Sequence, residues 1–90
     1  MATSEALELS EALVVIMQAF RRREIPVLVK IKGVSSSAKV EGELKVALEE
    51  RLKSFLPKER IERLCDNVRV ELHGVERDGN WYDVFAHRYD

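Results

Sequence analysis

The sequence predicts an α+β two-layer domain in the order α-β-α-(short α)-β-β, a three-stranded sheet with helices on one face. Three observations predict it. Val27 to Gly33 alternates with a period of two, and Val27, Val29 and Ile31 share one side. A helical apolar pattern lies on each side of that run, over roughly residues 9–23 and 38–55. Two further alternating stretches, 68–73 and 81–87, are separated by the turn signal Asp78-Gly79 and read as a hairpin of open register.

The chain has 90 residues, the size of one domain with one modest core, and residues 1–4 are expected to fray. The first helix is expected to start at Ser4 or Ser10, either of which can cap it, and to end at Arg23. Leu9, Leu13, Ile16, Met17 and Phe20 form its stripe, and Val14, Val15 and Ala19 widen the apolar surface. A helix apolar on two sides needs cover on two sides, and a second subunit would supply it. Arg21, Arg22 and Arg23 close the helix, either as compensation of its dipole or as a phosphate patch.

In the central strand, Pro26 suits the first position and Gly33 ends the run. Lys30 and Lys32 fall on the face away from the helices and are expected to meet water or a partner. Val34 to Ser37 reads as a polar linker with a helix cap. The second helix is expected over Ala38 to Phe55, with Val40, Leu44, Ala47, Leu48, Leu52 and Phe55 buried. Glu41–Lys45 and Glu49–Lys53 are i,i+4 pairs on its wet face. Gly42 marks a close approach of another backbone or a weak start to the helix. Pro57 stops this helix and suits the first position of a short third one, Pro57 to Leu64, anchored by Ile61 and Leu64. In the last strand, Tyr82, Val84 and Ala86 share one face, and Trp81, Phe85 and His87 the other.

Composition restricts function. The net charge is −1, so no global basic field draws nucleic acid. The longest apolar run, Ala12 to Met17, is far short of the ~20 residues that span a bilayer, and no membrane association is expected. Glu5, Glu8 and Glu11 stand where a signal peptide would carry positive charge. The single Cys65 allows no intrachain disulfide and fits a reducing compartment, so the expected location is cytoplasmic. His73 and His87, with Cys65, Asp83 and Asp90 as helpers, match no zinc spacing, and no metal or other cofactor is expected. Gly33, Gly42, Gly74 and Gly79 are too dispersed for a phosphate loop, and nothing activates Cys65 as a nucleophile. The reading is therefore of a protein that is not an enzyme and takes no small-molecule substrate.

A local basic segment remains: Arg21, Arg22, Arg23, Lys30, Lys32 and Lys39, with only Glu24 against them. Such a segment can contact phosphates of DNA or RNA without reading sequence, or can simply be a solvated face. Trp81, Tyr82, Phe85 and Tyr89 can stack on bases, although a domain this small needs its aromatics for packing.

Val27-Leu28-Val29-Lys30-Ile31-Lys32-Gly33 resembles the second strand of the archaeal Alba chromatin and RNA-binding family, in which an apolar strand ends in Lys-x-Arg-Gly or a close variant. Lys30, Lys32 and Gly33 take those places. The helix through Leu13 to Phe20 and the segment Leu52-Lys53-Ser54-Phe55-Leu56-Pro57 also resemble the family's two helices and the turn after the second. The layout is similar from about Leu9 to the C-terminus. The family opens with a short strand and a lysine-containing loop, where this chain has Thr3-Ser4-Glu5-Ala6-Leu7-Glu8. Its hairpin arm, Gly74 to Asn80, is short and not basic. The resemblance implies a small, dimeric nucleic-acid-binding protein using Arg21, Arg22, Arg23, Lys30, Lys32, Gly33 and Lys39. The other reading is a protein-interaction module, either an obligate dimer or the subunit of a larger complex.

Overall fold

The computed structural model describes residues 5–33 and 36–86. The expected fraying of residues 1–4, the linker residues Val34 and Ser35, and His87, Tyr89 and Asp90 lie outside them. The described chain runs α1 (Leu9–Arg22), β1 (Val27–Ile31), α2 (Ser37–Leu52), α3 (Lys58–Asp66), β2 (Val68–Glu76) and β3 (Gly79–Ala86). The strands form an antiparallel sheet in the order β1-β3-β2, so the hairpin inserts its second strand beside β1. The fold is the expected α+β arrangement, with its helices packed against one face of the sheet.

α1 begins one residue after Glu8, at neither expected serine cap. The Glu8 N–H donates to the Glu11 carboxylate at 3.2 Å, half of a capping box. Its buried line is Ala12, Ile16 and Ala19, with Leu9, Leu13, Met17 and Phe20 half-buried around it and Val14 and Val15 exposed. The end of α1 places Arg23 in the left-handed region, φ 62°. The Arg23 N–H donates to the Phe20 carbonyl and the Glu24 N–H to the Ala19 carbonyl, the two bonds of a Schellman ending.

Ahead of α1 the chain is extended, not helical. Leu7 forms a parallel bridge to Ile31: the Leu7 N–H donates to the Lys30 carbonyl at 2.9 Å, and the Lys32 N–H donates to the Leu7 carbonyl at 2.8 Å. One edge of β1 is thereby covered. At the opposite edge of the sheet the Val70 N–H donates to the Glu41 carboxylate of α2 at 2.9 Å, which satisfies a backbone group that an incoming strand would use.

α2 starts where Ser36 accepts from the Lys39 N–H at 3.1 Å, and it buries Val40, Leu44 and Leu48. It ends at Leu52, three residues short of Phe55, so Phe55 leaves the helical register and stands in solvent. Of the two expected ion pairs, Lys45–Glu41 forms at 3.5 Å, whereas Lys53 turns to Glu50 at 2.9 Å and not to Glu49. Lys53 is the C-cap, so it no longer continues the i,i+4 row. Pro57 serves as the N-cap of α3 and not as its first residue, and Ile61 and Cys65 face the core.

Among the described residues, no atom outside its own helical turn and chain neighbours lies within 4 Å of a Cβ built on Gly42, so no second backbone approaches it there. Gly42→Ala is therefore expected to stabilise the protein by about 1 kcal/mol through helix propensity alone. That is a rise of roughly 4–8 °C in the thermal midpoint of a domain this size. An unchanged or lower midpoint would contradict the open surroundings of this residue.

Both hairpin strands run further towards the turn than the alternating stretches of sequence suggest. β2 runs on to Glu76, Arg77 and Asp78 form the turn, and Gly79 is already paired with Glu76. Val68, Val70, Tyr82 and Val84 close the core from the sheet side, as their alternation requires. A register shift between Leu72 and Gly74 admits His73 as an extra residue and leaves Leu72 half in water.

Candidate functional site

Lys30 does not face solvent or a partner, contrary to the expectation from β-strand alternation. It lies on the outer face of the sheet but is only 6% exposed. Its ammonium sits 2.9 Å from a Glu76 carboxylate oxygen and 2.8 Å from one of Asp78. Trp81, its cross-strand neighbour, covers it with the ring centroid at 5.8 Å, and the indole N–H donates to Glu76 at 2.7 Å. The lysine is therefore neutralised by the end of the hairpin. Hydrogen bonds to Asp78 and Glu76 hold its pKa above the ordinary lysine range. The same ammonium, helped at Glu76 by the indole N–H, holds both carboxyls below theirs.

Those shifts have a sign. Depressed carboxyl values contribute stability that is present above their unfolded values, 4.5 for Glu76 and 3.8 for Asp78, and is lost as pH falls through the folded values. The raised lysine contributes stability present below 10.5 and lost as pH climbs through the folded value. The midpoint advantage of the wild type over Lys30→Met is thus expected to shrink below about pH 4. Thermal melts from about pH 7 to about pH 2 read this directly, and an advantage independent of pH would rule the cluster out as its source.

The other basic residues do not join into one face. Lys32 is exposed and lies 3.5 Å from Glu8, at the start of α1. Gly33 follows it with φ 81°, a turn conformation, and Lys39 is exposed in the first turn of α2. Arg21, Arg22 and Arg23 are at the far end of α1, which at fourteen residues is about 21 Å long. They are exposed, and among the described residues no carboxylate pairs with them. The continuous basic patch of the sequence reading is thus divided into a paired cluster at one end and an arginine cluster at the other.

The arginine end carries the most distinctive surface. The last turns of α1 and α2, with Leu64 near the end of α3, line an open groove of ≈ 1030 Å³ there. Its apolar wall includes Met17, Phe20, Leu48, Leu52 and Phe55, and the last residue of β3, Ala86, forms part of its floor. Phe55 is 79% exposed, the most exposed of the large apolar side chains among the described residues. Arg21, Arg23 and Arg51 also line the groove, and among the described residues no acidic one does. An exposed aromatic over an aliphatic hollow leaves apolar area in water at a cost of roughly 25 cal/mol per Å², which an occupant would recover.

Sequence reasoning placed Phe55 in the core and did not single out Arg51. A signal was present. Pro57 has no N–H to donate to the Lys53 carbonyl and restricts Leu56, so a helix continuing through Phe55 loses its support from the following turn. A residue beyond the helix end cannot be assigned a face from helical spacing.

The remaining candidates have structural surroundings. Cys65 is buried, and burial, with Glu49 nearby, pushes its thiol pKa up, the opposite of an activated nucleophile. His73 lies 2.7 Å from Asp83 on the exposed outer sheet face. Among the described residues no three His, Cys, Asp or Glu side chains converge on a metal position. Tyr82 is fully buried, and Trp81 and Phe85 are half-buried on the outer face of the sheet. Among the described residues no helix is long and apolar enough to cross a membrane. Comparison with family models, curated proteins and solved structures finds no match to this chain.

Proposed function

We propose that this is a non-enzymatic protein-interaction module that docks a protein partner at the groove between the ends of α1 and α2. The observation that carries this reading is Phe55, 79% exposed at the lip of an apolar hollow. Contiguous apolar surface with a polar rim marks interaction sites, and an aromatic over a hollow is a typical binding anchor. A photoreactive phenylalanine analogue at Phe55, expressed in the native cell, tests it. The expected result is a discrete protein adduct from position 55 and none from the exposed control position Glu59. No adduct at position 55, or the same adducts from both positions, would overturn it.

One observation favours a second reading, nucleic-acid binding. The Leu7 bridge puts a rudimentary strand beside β1 ahead of the first helix, where the Alba-like layout has its short opening strand. The phosphate contacts would then come from Arg21, Arg22 and Arg23, since Lys30 and Lys32 are engaged by Glu76, Asp78 and Glu8. This reading requires retardation of DNA or RNA at low salt that weakens steeply as salt rises. It fails if no retardation occurs at low salt.

A further inference from the structure

We infer that the occupant of the groove is an acidic amphipathic helix: apolar anchors on one face, with carboxylates flanking them. This rests on the docking reading above and narrows the partner's chemistry.

The wall of the groove decides the backbone of the partner. Its lining comes from the side chains of three helices and the segments after them, and from β3 only through its last residue, Ala86. No strand edge runs along it. An extended segment laid there would lose water from its N–H and C=O groups and find no ladder to replace it. A helix satisfies those groups internally and presents only side chains, at i, i+3, i+4 and i+7.

The rim decides the charge. Arg21, Arg23 and Arg51 line the groove, and among the described residues no acidic side chain joins them there and none of the three has a carboxylate partner. A partner with carboxylates beside its apolar anchors gains planar, bidentate guanidinium contacts. A second copy meeting this surface isologously would set the three arginines against themselves, a like-charge arrangement. A single-stranded nucleic acid would satisfy the arginines but find one well-exposed aromatic platform, Phe55, in an otherwise mostly aliphatic hollow.

Selection of a randomised library of helical peptides, about 16 residues long, tests this against the immobilised protein. Phe55→Ser serves as the counter-target, because Phe55 is solvent-exposed and its replacement leaves the core intact. Enriched sequences are expected to carry Leu, Ile or Phe at helical spacing with Asp or Glu flanking them. The selected peptide is expected to lose at least about tenfold in affinity to Arg21→Glu/Arg51→Glu. Its lysine-for-acid counterpart is expected to recover affinity for that variant. Enrichment without acidic bias, or no discrimination against Phe55→Ser, overturns the inference. So does a dimer that Phe55→Ser dissolves in sedimentation, or an oligonucleotide that outcompetes the peptide. A protein adduct at Phe55 in the cell, together with failure here, would leave the docking reading standing and remove only the acidic helix.

Discussion

Gly79→Ala is expected to cost roughly 1–3 kcal/mol, although it adds a single methyl group. A Cβ at Gly79 would lie 2.7 Å from the carbonyl oxygen of Ile31 and 2.9 Å from the Ala6 Cβ. Ala6 belongs to the extended N-terminal segment and can yield. Ile31 cannot, because it is fully buried, is hydrogen-bonded to Leu7 through its neighbours Lys30 and Lys32, and pairs with Asn80 across the sheet. Relief must come from shifting the hairpin end away from Ile31 and the N-terminal segment away from the new methyl group. The Leu7 bridge is the weaker of the two, so it should open first. A denaturant titration should show a lowered midpoint. Hydrogen exchange should show lost protection at the Leu7 and Lys32 amides, which make the bridge bonds of 2.9 and 2.8 Å. Wild-type protection at both amides in the variant would contradict the close approach.

Ile16→Ala is expected to cost about 2–5 kcal/mol, a large part of the roughly 5–15 kcal/mol that holds a typical domain folded. Ile16 is completely buried at the centre of the face of α1 that meets the sheet. Ala12 and Ala19, one turn to either side, are too small to fill the space it would leave. Val15→Ala, one residue away on the exposed side, is expected to stay within about 0.5 kcal/mol. The pair distinguishes the two apolar sides of α1. Equal losses, read by the same denaturant titration, would mean that the outer side is covered as well, and would point to a second subunit there.

Much of the architecture is legible from local pattern. Val29 and Ile31 alternate with Leu28 and Lys30, and that alternation placed the first pair on the core side, where both are buried. Val40, Leu44 and Leu48 follow helical spacing and are buried. Ser36 caps α2 from within the serine run. Two of the misread boundaries were set by contacts outside the local window. α1 does not start at Ser4 because Leu7 is drawn onto β1, and β2 runs past His73 because Glu76 pairs with Gly79 across a two-residue turn.

The candidate site was far less legible. Lysine and arginine counts identified a basic segment but not its division into two ends. Helical spacing assigned Phe55 to the core because the spacing was extended beyond the helix.

From the sequence alone came the kinds of element, their order, and the inward side of each, because side-chain period and hydrophobic burial operate over a few residues. The tertiary structure alone decided which charges remain available. Lys30 is neutralised by Glu76, 46 residues further along the chain, and no local pattern carries that contact. The arginines of α1 become a rim only because the end of α2 brings Arg51 and Phe55 beside them. Coulomb attraction and desolvation depend on distance through space, and chain separation is a poor measure of that distance.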